Sequence, residues 1–405
     1  MGTNESLNQK KSTTSIWLSY GGPVIWIPVF ALTSFGILFI YSASSVYATQ
    51  KYGDEFLFAK KQLFFLIPAL IAGYCGAKIP IDFFYKHATK LFVLFVTLVL
   101  LTHFPIIGKK VGGASRWLAF GPMRLQPSEF LKIFTILFAS LLLSKGMNNI
   151  PNFIKKYAEH SKGRLKKFLP QAYLLSIYSS ILFAIVSIER QPDYGSVIVL
   201  TLSLLAMIYV FGIPLRIFAV ILVIIVPLGI MIMLTKSYRV ARILAFLDPY
   251  SDPLGKGFQV IQSFVAVANG GIFGQGLGES KQKLFFLPEA HTDFILAVVA
   301  EEMGFVGIFV IAILFMTLFY GLYRIIIHSV TQKERLLATG LFAMLLATTL
   351  INMGVVCGAL PNKGLPLPFI SSGGSALMAN FFSIGLFAQM SRRIFLNPEQ
   401  DLKSR

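Results

Sequence analysis

The chain has 405 residues, of which 55% are hydrophobic and only 13% charged, with a formal net charge of +18. A soluble globular domain averages about 25% charged residues, so that class is excluded and a polytopic membrane protein is expected. Excess positive charge on so apolar a chain points to lipid headgroups and anionic substrates as partners, with no nucleic acid.

Residues 1–22 are polar and carry Lys10 and Lys11. The apolar run behind them is too long for a signal-peptide core and lacks a small-residue cleavage site, so it is expected to stay as an anchor. Crossing the hydrocarbon core takes about 20 apolar helical residues, because every backbone polar group must be satisfied within the segment. Ten stretches qualify, at about 23–45, 62–78, 88–107, 126–144, 171–189, 195–212, 214–235, 294–323, 336–358 and 371–391. Boundaries near 190–215 are soft, since Pro192, Gly195, Gly212 and Pro214 interrupt the run. The expected fold is an all-α integral membrane protein with one ten-helix domain over 23–391, a large outer loop over 236–292, and short tails at 1–22 and 392–405. Cys75 and Cys357 fall within spans, and no disulfide is expected.

Orientation follows from the basic residues. An inside N-terminus places the Lys- and Arg-rich loop 145–170 in the cytoplasm, as the positive-inside rule asks, and ten spans return the C-terminus to that side. Two outer loops are then basic: Lys109, Lys110, Arg116 and Arg124 before the fourth span, and Lys236, Arg239, Arg242, Lys256, Lys281 and Lys283 between the seventh and eighth. These are either solvated loop charges beside lipid headgroups or a surface holding a polyanion such as a lipid diphosphate. Within 236–292 the run Asn269–Gly278 is glycine-rich but lacks P-loop spacing, so tight turning beside a bilayer surface is expected. An interfacial amphipathic helix is expected near 257–268.

The segment Gly276–Asp293 packs acidic, basic and imidazole groups directly before the eighth span. Thr292 and Asp293 stand where a helix N-cap belongs. A carboxylate there can also act as a general base at the membrane boundary, where partial burial lifts its pKa. The five His make no zinc spacing, so metal held by His is not expected. Glu301 and Glu302, inside the eighth span, require polar interior partners. Gln126-Pro-Ser-Glu129 opens the fourth span with Lys132 one turn on, reading either as a self-neutralising pair or as a cavity cation. Glu189–Gly195 reads either as a capped turn or as a second carboxylate, Asp193, lining a site.

Several motifs carry a resemblance: Gly112-Gly-Ala-Ser-Arg116-Trp117 with Gln126-Pro-Ser-Glu129, Gln191-Pro-Asp193-Tyr-Gly195, Phe246-Leu-Asp-Pro249, Gln282–Phe294, and Pro366-Leu-Pro-Phe-Ile-Ser371-Ser-Gly-Gly374-Ser375. In order and over nearly the whole chain they resemble the SEDS (shape, elongation, division and sporulation) family. The stretches Gly274–Gly278, Ser280, Gln282–Leu284 and Pro361-Asn-Lys363-Gly364 are similar to the division-type branch rather than the elongation-type one, although Asn362 and Ser372 depart from its pattern.

The resemblance implies peptidoglycan glycosyltransfer, in which lipid II units are polymerised on the outer face and undecaprenyl diphosphate is released. The alternatives are an elongation-type polymerase or a lipid II flippase. It implies Asp293 as the catalytic carboxylate, with Arg116, Lys132, Arg239, Arg242 and Lys283 as candidates for diphosphate or sugar, Asp193 as a further candidate, and Glu289 in support. A divalent cation (Mg or Mn) at the diphosphate is compatible with it, but no protein ligands for one are specified. The implied partners are a class B penicillin-binding protein transpeptidase and other division membrane proteins at the septum of the bacterial inner membrane.

Overall fold

The structure, a computed structural model, describes residues 22–104, 107–111, 114–120, 123–145, 178–255, 257–282 and 290–396. Twelve helices and one small sheet account for most of them: α1 (Pro23–Tyr52), α2 (Leu57–Lys78), α3 (Ile81–Leu101), β1 (Gly108–Val111), β2 (Ala114–Phe120), β3 (Met123–Leu125), α4 (Pro127–Lys145), α5 (Tyr178–Glu189), α6 (Tyr194–Val210), α7 (Leu215–Leu234), α8 (Ser237–Leu247), α9 (Phe258–Gly270), α10 (Ile295–Ile327), α11 (Gln332–Val356) and α12 (Gly374–Leu396). Seven of them (α1 to α4, α7, α10 and α11) are long and apolar enough to cross a membrane, and α5 and α6 are shorter apolar helices. The chain is a multi-pass membrane protein.

The all-α expectation needs correction. Residues 108–125, expected as loop, form a three-stranded antiparallel sheet in the order β1-β2-β3, pairing Gly108 with Leu118 and Leu118 with Leu125. The segment is too short and too polar to span a bilayer, and strand pairing satisfies its backbone without a helix. Gly112-Gly113 and Gly121-Pro122 stand in sequence between the strands, the hairpin signal that a search for apolar runs passes over. The span expected at 88–107 also shifts to 81–101, because Pro80 at the N-cap starts the helix there. Its first turns are amphipathic rather than apolar, with Asp82 paired to Lys333 at 3.1 Å.

The chain divides into two compact units, one of residues up to Ile79, Pro214–Val330 and from Phe342, the other of Pro80–Ile213 and Thr331–Leu341. In the first, α2 lies against α12 through glycines. A Cβ at Gly76 would come within 2.7 Å of the Phe382 carbonyl, and one at Gly385 within 2.2 Å of the Gly73 carbonyl. Such close backbone approach replaces the hydrophobic drive that lipid does not provide. In the second unit α3 packs on α4 through stacked rings, Phe92 with Phe138 and Phe95 with Phe134, both at 4.7 Å between centroids.

The region 236–292 is not plain loop. It holds α8, a 3-10 turn at Pro249–Ser251 and α9. The helix expected near 257–268 exists as α9, but its buried face (Val260, Ser263, Ala266, Gly270) is turned to protein. A Cβ at Gly270 would lie 1.8 Å from the Ala300 carbonyl, and Ser263 Oγ donates to the Val356 carbonyl at 3.2 Å.

The glycine-rich run after α9 answers a break in α10. Gly304, with φ 64° and ψ −159°, interrupts that helix. The carbonyls of Glu301 and Glu302 then accept from the N–H groups of Gln275 and Gly276 at 2.9 and 3.0 Å, while the N–H groups of Phe305 and Val306 donate to the carbonyls of Gly271 and Ile272 at 2.9 and 3.1 Å. The run thus replaces helical hydrogen bonds inside an apolar helix, a stronger demand than turning at a surface. Gly304→Ala should be among the most damaging single changes. A left-handed φ costs an ordinary residue about 1–2 kcal/mol, and the new Cβ would also meet Gly274 N at 2.4 Å and the Ile272 carbonyl at 2.5 Å. Gly53→Ala, at φ 74° with nothing within 4 Å, should pay only the φ term. Thermal unfolding of both variants in detergent tests the difference, and equal losses would sink it.

Candidate functional site

The sequence candidates fall into two sets, one in each unit. In the second unit, three motifs distant in sequence join in one hydrogen-bonded network. Arg116, on β2, donates from Nε to the Gln191 carbonyl at 2.9 Å and from Nη2 to the Pro192 carbonyl. The buried Gln191 carboxamide donates to Thr102 Oγ1 at 2.6 Å and to the Val99 carbonyl at 3.2 Å. Asp193 caps α6, accepting from Ser196 N at 3.3 Å and Ser196 Oγ at 2.9 Å, and also takes a bond from Gln126 Nε2 at 3.2 Å. Lys132, 3% exposed, contacts Glu129 at 3.0 Å one turn away on α4. Both members of that pair are buried, so its attraction offsets a desolvation cost that either charge alone would carry. Here the capping and pairing readings of Asp193 and Lys132 are visible as geometry.

In the first unit, Asp293 precedes α10. The helix starts at Ile295 with Phe294 in the N-cap position and no side-chain cap bond from that residue. The expected cap position of Asp293 therefore moves one residue on, because Phe294 turns at φ −116° and ψ 21° and its carbonyl already accepts from Ala297 N at 2.9 Å. Asp293 is half-buried. Its Oδ2 lies 3.4 Å from where a Cβ on Gly364 would stand, and Gly364 has φ 67°. A Cβ would fit at that distance, so it is the positive φ, which other residues rarely adopt, that favours glycine here. His291 lies among rings, tilted 50° to Phe58 at 4.4 Å between centroids, and its carbonyl accepts from Ser372 N at 3.0 Å.

Three cations gather about the turn at Lys363. Arg239 and Arg242 lie one turn apart on α8. Arg239 is buried and donates to the Ile232 carbonyl at 3.0 Å, and Arg242 reaches the Asn362 carbonyl at 3.5 Å. Lys363, half-buried, has Met233 Sδ at 3.3 Å from Nζ. Burial, then the positive charges of Arg242 and Arg239, hold the Lys363 ammonium below its ordinary pKa of 10.5. Like charges gathered against a desolvation cost make a site that an anion stabilises. The turn that presents Lys363 is closed by Asn362, whose Oδ1 accepts from Gly364 N at 2.9 Å. That i to i+2 bond is one that the hydroxyl of a threonine also makes, so Asn362 keeps the local geometry.

Lys363 was not among the site residues drawn from sequence, yet it is the one Lys or Arg between Arg335 and Arg392. Its isolation was the available signal. Lys283 and Glu289, which were among them, lie outside the described residues. Glu301 and Glu302 have the interior partners expected of buried carboxylates. Ser280 Oγ and the N–H groups of Lys281 and Gln282 donate to Glu301, and Ser42 Oγ donates to Glu302. Glu301 thereby holds the chain just before Lys283.

The chain's relatives bear on this arrangement. A family model described as cell cycle protein, FtsW/RodA/SpoVE, matches residues 23–394. The chain is 40% identical over 371 residues to a "Probable peptidoglycan glycosyltransferase FtsW" of Geobacter metallireducens, covering 92% of this chain and 94% of that one. It is 36% identical to "Stage V sporulation protein E" of Bacillus subtilis, over 89% and 94% of the two chains. A solved structure described as "Structural coordination of polymerization and crosslinking by a peptidoglycan synthase complex" superposes with a TM-score of 0.68 at 27% identity, covering 93% of this chain and 98% of its own. The rod shape determining protein RodA of Thermus thermophilus shares the fold, with a TM-score of 0.61 at 23% identity and the same coverage.

The Lys363 environment gives a test independent of function. A lysine whose pKa is depressed on folding is penalised while both states are charged, and the penalty disappears as pH rises from the folded pKa towards 10.5. Lys363→Met should raise the thermal midpoint at neutral pH, with the gain shrinking through that alkaline window. A variant no more stable than wild type at neutral pH would contradict it.

Proposed function

The chain belongs to the FtsW/RodA/SpoVE cell cycle protein family, and on that premise we propose that it is a division-type peptidoglycan glycosyltransferase. It joins lipid II units into glycan strands on the outer face of the cytoplasmic membrane and releases undecaprenyl diphosphate. The observation that carries the reading is a carboxylate, Asp293, set against the turn that presents Lys363, with Arg239 and Arg242 adding positive charge there. Glycosyl transfer between lipid-linked sugars makes two electrostatic demands. The acceptor hydroxyl loses a proton as its oxygen bonds to the donor sugar, and the bond from that sugar to the diphosphate breaks as negative charge gathers on the leaving group. Asp293 takes the proton. Lys363, Arg239 and Arg242 neutralise the departing diphosphate, as positive groups aimed at developing negative charge do.

In the second unit Arg116, Lys132 and Asp193 stay substrate candidates on motif grounds, each with a protein partner of its own; Lys283 and Glu289 stay candidates from sequence alone. A divalent ion fits poorly as a protein-held cofactor. Among the described residues no three His, Cys, Asp or Glu converge, and the groups gathered here are cations. Mg2+ or Mn2+ would come with the diphosphate itself, and no step depends on it.

The same reading takes ten spans, both termini cytoplasmic, the 236–292 region outside, and assembly at the septum with a class B transpeptidase and other division membrane proteins. Two predictions test it with the full chain, its cognate transpeptidase and purified lipid II. Asp293→Asn should bind lipid II and make no glycan strand, whereas polymer from that variant would remove Asp293 as base. Lys363→Met should weaken lipid II binding by about 10- to 100-fold, the equivalent of one lost hydrogen bond to a charged group. Lipid II transport in liposomes without polymer would favour a flippase instead.

A further inference from the structure

Asn352 lies on α11, close to its end at Val356, and is 2% exposed. Its Nδ2 donates to two main-chain carbonyls, that of Asp293 at 3.0 Å and that of Leu365 at 2.8 Å. Both neighbours are acceptors, so chemistry fixes the amide's orientation: only its NH2 end can serve them. Its buried Oδ1 has no hydrogen-bond partner among the described residues. The side chain is held there for its two N–H groups.

The two carbonyls belong to the two halves of the candidate site. One is the main chain of Asp293. The other follows Lys363 and Gly364 directly, and Gly364 is the residue against which the Asp293 carboxylate rests. The Ser372 N–H bond to the His291 carbonyl, 3.0 Å, is a second tie between the same two stretches. Neither stretch is helical at these positions, so no regular ladder sets their spacing and individual bonds such as these do so.

We propose that Asn352 is a positioning residue for glycosyl transfer, fixing the separation of the Asp293 carboxylate from the Lys363 cation by binding both main chains through one amide. The proposal rests on the reading of Asp293 as base. Base and cation act on opposite ends of the same displacement, one on the acceptor hydroxyl and one on the leaving diphosphate. A drift of about 1 Å between groups so divided costs on the order of 100-fold in rate while leaving binding nearly intact.

The test uses the full chain with its cognate transpeptidase and lipid II, comparing wild type, Asp293→Asn, Asn352→Ala and the near-isosteric Asn352→Asp. Rates are expressed per folded protein, from thermal unfolding, and lipid II affinity is measured separately. Expected for both Asn352 variants is a kcat lower by about 10- to 100-fold, with KM and lipid II affinity within about threefold of wild type. A role confined to stability would instead lower the thermal midpoint and leave kcat per folded molecule unchanged, which overturns the proposal. Failure of both variants to fold also counts against it, since Asn352 would then be a framework residue. Wild-type kcat in both variants, with Asp293→Asn inactive, overturns the positioning role and leaves the base intact. An active Asp293→Asn overturns the base reading, and the positioning role with it, whatever the Asn352 variants do.

Discussion

The constraint that organises the first unit is the break in α10 at Gly304. A helix that interrupts its ladder in apolar surroundings must find other partners for the freed groups, at a cost of several kcal/mol for each one left bare. Four backbone bonds to residues 271, 272, 275 and 276 meet that demand. They require an irregular chain beside the helix, which is why Gly271, Gly274, Gly276 and Gly278 all take positive φ. They also dock α9 against α10, and Glu301, at the break, binds residues 280–282. The approach to the Asp293 segment is therefore set by the helix that follows it in sequence.

Sequence showed the class, the apolar runs and most motifs, because hydropathy and local signatures are read within a short window. It missed what depends on distant partners. The β1–β3 sheet went unseen since its strands carry no apolar run, although the Gly-Gly and Gly-Pro pairs between them were there to read. The glycine run Asn269–Gly278 reads locally as turns at a surface, because nothing local reveals the break in α10 that it answers. Asn352 was invisible, being one asparagine in an apolar helix whose two acceptors come from elsewhere. The bonds from the Arg116 guanidinium to the Gln191 and Pro192 carbonyls join segments some 75 residues apart, beyond the reach of any local pattern.

Four of the buried acids among the described residues have their partners close by. Glu301 holds three donors, Glu302 a serine, Glu129 a lysine and Asp193 a cap and a glutamine, and each of these is under 10% exposed. Carboxylates so engaged have oxygens committed to protein donors, which leaves fewer lone pairs to meet a substrate hydroxyl. Asp293 stands in a different part of the fold. It is half-buried, set against a glycine main chain rather than inside a helix, and held through its backbone by Asn352.

The cationic side follows the same logic with the sign reversed. Lys132 is neutralised within its own helix by Glu129, so an approaching diphosphate gains little from it unless that pair opens. Lys363 sits between desolvation and two arginines, and its depressed pKa records a protein that keeps positive charge at some cost to its own stability. Charge maintained against such a penalty is relieved by an anion, and the relief is greatest when the anion gains charge, as a diphosphate does while its bond to the sugar breaks. The stabilisation is therefore larger in the transition state than in the bound substrate, which is the condition for binding energy to accelerate a reaction.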